Sequence, residues 1–299
     1  MHPCPVILSL LLALPALVAQ VPKPPAAITS LAEPKEAPTG AAGGISVLPN
    51  RVVLEGRERA AEVMLRNSGG TKATFRVSIV EKDMTEEGRL TDRPKREGEI
   101  TAADLVRFTP RQVELEPGES QIVRLQLRKP ENLPDGEYRS HLLLTGIPPV
   151  REAQPPEGEG SDRQISFSIT QVISISIPII VRHGNLSAEV SLSHGTPVFY
   201  QPTYPNSAPV ISLWLERKGN RSLVGDIKVT LEAGGNKPKG TVLWEVKGLG
   251  IYTNLNRRKV FLGVPAAVGG KLKGARAKVI FTPTDVHLPP VATEVDITL

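Results

Sequence analysis

The chain has 299 residues, with 36 Lys or Arg against 31 Asp or Glu for a net charge of +5, aromatic side chains at 4%, and a single cysteine, Cys4. One cysteine this close to the start leaves an exported product without a disulfide, a thiol nucleophile or a Cys-ligated metal, so its stability must come from packed cores. Few aromatics in an exported chain also argue against nucleic acid as a partner.

Residues 1–20 hold no Lys, Arg, Asp or Glu and carry an apolar run over 6–19 that is too short to span a bilayer. They read as a secretory signal peptide. Residues 21–44 are rich in Pro, Ala and Gly and poor in large apolar residues, which predicts a disordered leader. Short alternating runs then follow at close spacing: ISVLPNRVVLEG, AAEVMLRN, ATFRVSIVEKD, DLVRFTP, QVELEP, SQIVRLQLRK and YRSHLLLTGI. Each reads as a β-strand. Residues 85–99 are highly charged and read as a solvated hairpin excursion, and 148–163 as a Pro-, Gly- and acid-rich loop.

Residues 165–181, ISFSITQVISISIPIIV, alternate strictly. Ile165, Phe167, Ile169, Ile173, Ile175, Ile177, Ile179 and Val181 form an apolar row broken only by Gln171, and hydroxyls dominate the other face. Such a period of two predicts one strand of about 55 Å at roughly 3.3 Å per residue. A small β-domain does not need so long a strand for its own core, so part of the row is predicted to serve something else.

Residues 182–185 (RHGN) mark the predicted hinge, and seven further strand-like runs follow, with KGNR at 218–221 placed as a hairpin turn. The pattern predicts an all-β fold of two tandem immunoglobulin-like β-sandwich domains, residues 45–183 and 184–299. Lys and Arg outnumber Asp and Glu by 14 to 8 over 184–299, against 22 to 23 elsewhere, with basic clusters at Arg257, Arg258, Lys259 and at Lys271, Lys273, Arg276, Lys278. A solvated basic face is the ordinary explanation, and a docking surface for an acidic partner or an anionic membrane the sharper one.

Nothing positive supports an enzyme. His141, His183, His194 and His287 lie in no paired metal-ligand spacing and read as surface or satisfied histidines. The chain has no G-x-S-x-G, no G-x-x-x-x-G-K-[ST] and no H-E-x-x-H. Carboxylate pairs such as Glu86 with Glu87 stand in hydrophilic segments, where a solvated loop is the simpler account.

The run over 109–149 has Thr-Pro before a strand, LEPGE leading into VRL, a Leu-Pro connector and a strand closing on Ile-Pro-Pro. With PNRVVLEG at 49–56, the long strand and the VRHG hinge, it resembles the periplasmic pilus chaperones, the PapD-like family. The resemblance covers about 41–184 well and the second domain only by architecture. It implies a boomerang arrangement of the two domains, a periplasmic location, no cofactor, and an immature pilus or fimbrial subunit as partner, delivered to an outer-membrane usher. The chaperone lends its long strand to fill the subunit's open groove, which is donor-strand complementation.

On that resemblance the donor residues are Phe167, Ile169, Ile173 and Ile175. Four such side chains are worth roughly 6–12 kcal/mol, against an association cost on the order of 4–15 kcal/mol, so a second anchor matters. In the family a pair of basic residues grips the subunit's terminal carboxylate. Arg51 matches the first, but Pro178 stands where the second, a lysine, belongs, and it also removes one ladder bond. Arg182 or His183 are the candidate substitutes. Glu137 and Arg182 match two members of the family's inter-domain ionic link. The exposed apolar strand further predicts self-association of the free protein. Two other readings remain open: an exported structural or adhesin-like tandem Ig protein that self-associates through the same strand, and an exported glycan-active or glycan-binding sandwich.

Overall fold

The computed structural model describes residues 44–148, 172–200, 210–234, 238–263, 275–285 and 289–297. The signal peptide and leader, most of the 148–163 loop, and Phe167, Ile169 and Gln171 lie outside the described residues. No helix among the described residues is long and apolar enough to cross a membrane.

The first sandwich pairs two sheets. One has the order β1 (Ile45–Leu48), β3 (Ala60–Asn67), β8 (Ser120–Leu127), β6 (Val106–Thr109). The other runs β2 (Val52–Leu54), β10 (Ser174–His183), β9 (Gly136–Ile147), β4 (Ala73–Met84), β5 (Leu90–Arg93), with β7 (Gln112–Leu115) also on β4. The alternation sets which side chains meet between them. Val63, Leu65, Val123 and Leu125 face Phe75, Val77, Leu142, Leu144, Ile177 and Ile179, all buried in one core. The DLVRFTP run is a strand only from Val106. Before it, α1 (Ala102–Leu105) makes one helical turn, started by the Thr101 amide donating to Asp104 Oδ2 at 2.8 Å.

The second sandwich has the sheets β11 (Ala188–Tyr200), β12 (Val210–Gly219), β15 (Arg257–Gly263) and β14 (Val242–Ile251), β13 (Leu223–Ala233), β16 (Ala275–Pro283), β17 (Val291–Ile297), each in that order. Leu213, Leu215, Val229, Leu231, Val279 and Phe281 fill its core.

Two expectations change here. KGNR is not a hairpin turn: β12 pairs with β11 and β15, while β13 pairs with β14 and β16, so the turn crosses between sheets. Gly219 takes φ +99 there because an added Cβ would stand 2.2 Å from the Ser187 carbonyl oxygen. The second change is at the hinge, since Arg182 and His183 still belong to β10 and the chain turns at Gly184. Gly184 has φ +72, and its missing side chain makes room for the Asp135 carboxylate, which accepts from the Asn185 amide at 3.0 Å.

Candidate functional site

β10 is paired unequally along its two edges. Against β9 it is antiparallel over its whole length, from Ser174 opposite Thr145 to His183 opposite Gly136. Against β2 it is parallel only at Ile179, Ile180 and Val181. Among the described residues no strand pairs with the other edge over 174–178.

The orientation of that free edge follows from one bond. The Gly146 amide donates to the Ile173 carbonyl at 3.0 Å, so the odd residues of β10 turn their backbone groups to β9. Ser174 and Ser176 therefore present amide and carbonyl outward. Pro178 sits opposite His141 in a pair not bonded to β9, so its missing N–H faces the free edge and the β9 ladder loses nothing. Side chains alternate with the same period. Ile177, Ile179 and Val181 are buried in the home core, whereas Ile175 is half-buried against it and Ile173 is half-buried.

On the sheet's outer face, Ile180 joins Met84 of β4 and Tyr252 of the second sandwich in a small apolar cluster, with Val53 and Leu255 at its margin. Alternation in the chain leading into β2 puts Arg51 on the same face as Val53. Around Tyr252 the cleft between the sandwiches is cationic. The Arg139 guanidinium lies 4.0 Å from its ring centroid and donates to Asn254 Oδ1 at 3.1 Å. Burial raises the Tyr252 pKa, while the charges of Arg139, Arg51 and Arg258 pull it down. Burial lowers those of Arg139 and Arg258. Arg51 is half-buried, and no described carboxylate pairs with it.

Beside them, His141 is fully buried and neither ring nitrogen has a partner among the described residues, contrary to the expectation of a surface or satisfied histidine. Burial first, then the charges of Arg139 and Lys82, hold its pKa down at about 3. It stays neutral because it is buried and Arg139 and Lys82 lie nearby, with the Tyr252 ring edge-on at 6.2 Å.

Arg182 is the hub of the cleft's deep end. Its guanidinium meets Glu137 at 3.0 Å, Asp285 at 2.9 Å and Glu55 at 3.3 Å, and it donates to Ser222. Burial works against its charge, and the bonds to Asp285 and Glu137 outweigh that and raise its pKa. Arg221, from the KGNR turn, adds a 2.7 Å bond to Glu55. The structure therefore brings Glu137 and Arg182 together and supplies Asp285, which sequence reasoning did not place. It also commits Arg182 to three carboxylates, so Arg182 cannot stand in for a lysine at position 178. Arg139, which sequence reasoning missed, and Arg258, which it placed only in a basic cluster, are half-buried cations of the cleft, and each keeps one nitrogen without a partner among the described residues.

The 85–99 excursion is not simply solvated. Its tip lies against the free edge of β15, where the Lys259 amide donates to the Glu86 carbonyl at 2.6 Å and Arg257 Nε to Glu86 Oε1 at 2.9 Å. Of the Arg257, Arg258, Lys259 cluster, Arg257 thus has its acidic partner, Glu86, in the protein's own first sandwich.

This is a tandem immunoglobulin-like protein with an open-edged strand leading into a cationic inter-domain cleft. The family model described as "Pili and flagellar-assembly chaperone, PapD N-terminal domain" matches residues 44–186. Over these residues the chain is similar to the PapD-like pilus-assembly chaperones. Comparison with curated protein sequences finds no match. Among solved structures, the CupB2 chaperone of Pseudomonas aeruginosa is 13% identical, with 84% of this chain and 100% of that chain covered at a TM-score of 0.42. A chain of the CsuC–CsuE chaperone–tip adhesion subunit complex of Acinetobacter baumannii is 14% identical, with 85% and 98% covered at 0.41. A chain of the Salmonella enterica SafA pilin–SafB chaperone complex is 12% identical, with 84% and 96% covered at 0.40.

Proposed function

We propose that this protein is a periplasmic chaperone that binds immature pilus or fimbrial subunits by lending them the alternating segment over 165–181, of which β10 is the C-terminal part, for delivery to an outer-membrane assembly platform. It acts by binding rather than by catalysis. The observation that carries the reading is the free edge of β10 over 174–178, where outward amides and carbonyls run alongside an apolar row that leaves the home core at Ile175. A subunit with two unpaired edges and an open groove is complementary to such a strand. The donor side chains are Phe167, Ile169, Ile173 and Ile175.

The subunit's terminal carboxylate is gripped by Arg51, whose guanidinium has no competing carboxylate among the described residues. With Pro178 in place of the family's lysine, the second cation is Arg139 or Arg258. Glu137, Arg182 and Asp285 form the inter-domain link that fixes the cleft in which this happens.

The test is isolation of the protein from the periplasm with whatever small β-rich polypeptide accompanies it. Replacing Ile169 and Ile173 together with Asp abolishes that co-isolation while the protein stays folded. Co-isolation that survives the double replacement rules out the donor assignment, and a sample that polymerises alone with no small partner favours the adhesin-like reading.

A further inference from the structure

Of the seven large apolar side chains exposed among the described residues, three stand side by side on the other sheet of the first sandwich. Leu48 of β1 pairs with Met64 of β3, and Met64 with Ile122 of β8. They are 58%, 39% and 40% exposed, while the alternate residues Val63, Leu65, Val123 and Leu125 fill the core behind them. The row thus crosses three neighbouring strands on a face far from the free edge of β10, which lies in the opposite sheet. A contiguous apolar row on an otherwise polar sheet face marks an interaction surface.

The charges around it indicate which partner fits. On β3, Glu62 and Arg66 lie two residues to either side of Met64 and share its face. Glu62 also takes Arg124 of β8 at 3.2 Å. A two-fold axis lying in the plane of the face, along the apolar row, stacks the row on its own copy. The same axis sets Glu62 over Arg66 of the partner subunit, and Arg66 over Glu62 of the partner subunit. Sheets stacked face to face, with strand directions nearly aligned, satisfy this arrangement, and a self-complementary patch is what an isologous contact requires.

We infer that the face built on Leu48, Met64 and Ile122 is a docking surface for a second copy of this chain, a back-to-back dimer that leaves both β10 edges free. It is a different contact from self-association through the long strand and does not depend on the chaperone reading.

The test is the oligomeric state of the full chain by sedimentation velocity over a dilution series. The wild type dimerises reversibly, and Met64→Arg makes it monomeric with unchanged thermal unfolding. Glu62→Arg and Arg66→Glu each place two like-charge contacts in the dimer and raise its dissociation constant about tenfold or more. An equimolar mixture of those two variants restores dimers, because every contact across the mixed interface is then attractive, and the double swap Glu62→Arg with Arg66→Glu dimerises as the wild type does. Ile173→Asp leaves the dimer intact. A wild type that is monomeric throughout, charge variants that dimerise unchanged, or a dimer lost on Ile173→Asp each overturn the proposal.

Discussion

Over residues 179–183, β10 is held by β9 along one edge, by β2 along the other as far as Val181, by the home core beneath Ile179 and Val181, and by the Arg182 network above. At residues 174–178 β9 is the one strand among the described residues that pairs with it, and its apolar row passes from the buried Ile177 to the half-buried Ile175. Both ends share one alternating pattern. What separates them is the neighbour: where β2 stops, one edge of β10 has no partner among the described residues, and beyond Ile177 the apolar row leaves the home core. Stability should therefore reside at one end and binding at the other.

The largest effect is expected at the closed end. Arg182→Ala strips the charge partner from Glu137, whose side chain is wholly buried, and a buried carboxylate left alone costs about 3–5 kcal/mol in urea unfolding. A loss below 1 kcal/mol would mean the cleft is wet and the ends are not so different. Next comes the step along the apolar row itself. Ile177→Ala, at 4% exposure, should cost about 2–5 kcal/mol of stability, whereas Ile173→Ala should cost about 1 kcal/mol or less and weaken subunit capture instead. Equal costs would erase the contrast.

Arg51→Ala sharpens the binding side. It should weaken the subunit by roughly 10–100-fold without moving the unfolding midpoint, and a subunit whose terminal carboxylate is amidated should not distinguish the variant from the wild type. A pH-dependent effect lies at the junction, where His141 faces Pro178. With its pKa at about 3 in place of an ordinary 6.5, the folded protein binds fewer protons than the unfolded chain between those values. Stability should fall as pH drops below 6.5 toward 3. Arg139, Lys82, Asp92 and the Tyr252 ring face this histidine, and His141→Phe should flatten the slope of the unfolding midpoint over that range.

Much of the first sandwich was legible because its strands alternate cleanly: AAEVMLRN is β3, residue for residue. The PNRVVLEG and LEPGE segments carried the family signal. What escaped was long-range. Asp285 joins Arg182 across 103 positions, and an aspartate in a loop carries no local mark of its partner. The burial of His141 depends on Tyr252 arriving from the other sandwich. KGNR has the composition of a hairpin turn, yet which sheet its flanking strands join is decided by packing. The docking of Glu86 on Arg257 and Lys259 had a visible trace, an acidic pair in one half and a basic run in the other, but complementary charge does not fix which partner is used.

The contrast between the two ends of β10 is tested most directly by residue-resolved amide hydrogen exchange, with and without the bound subunit. The amides of Ser174 and Ser176, which point to the free edge, should become protected on binding, while those of Ile175 and Ile177, already bonded to β9, should change little. A bound subunit that leaves Ser174 and Ser176 exchanging as they do in the free protein would contradict donation of this strand.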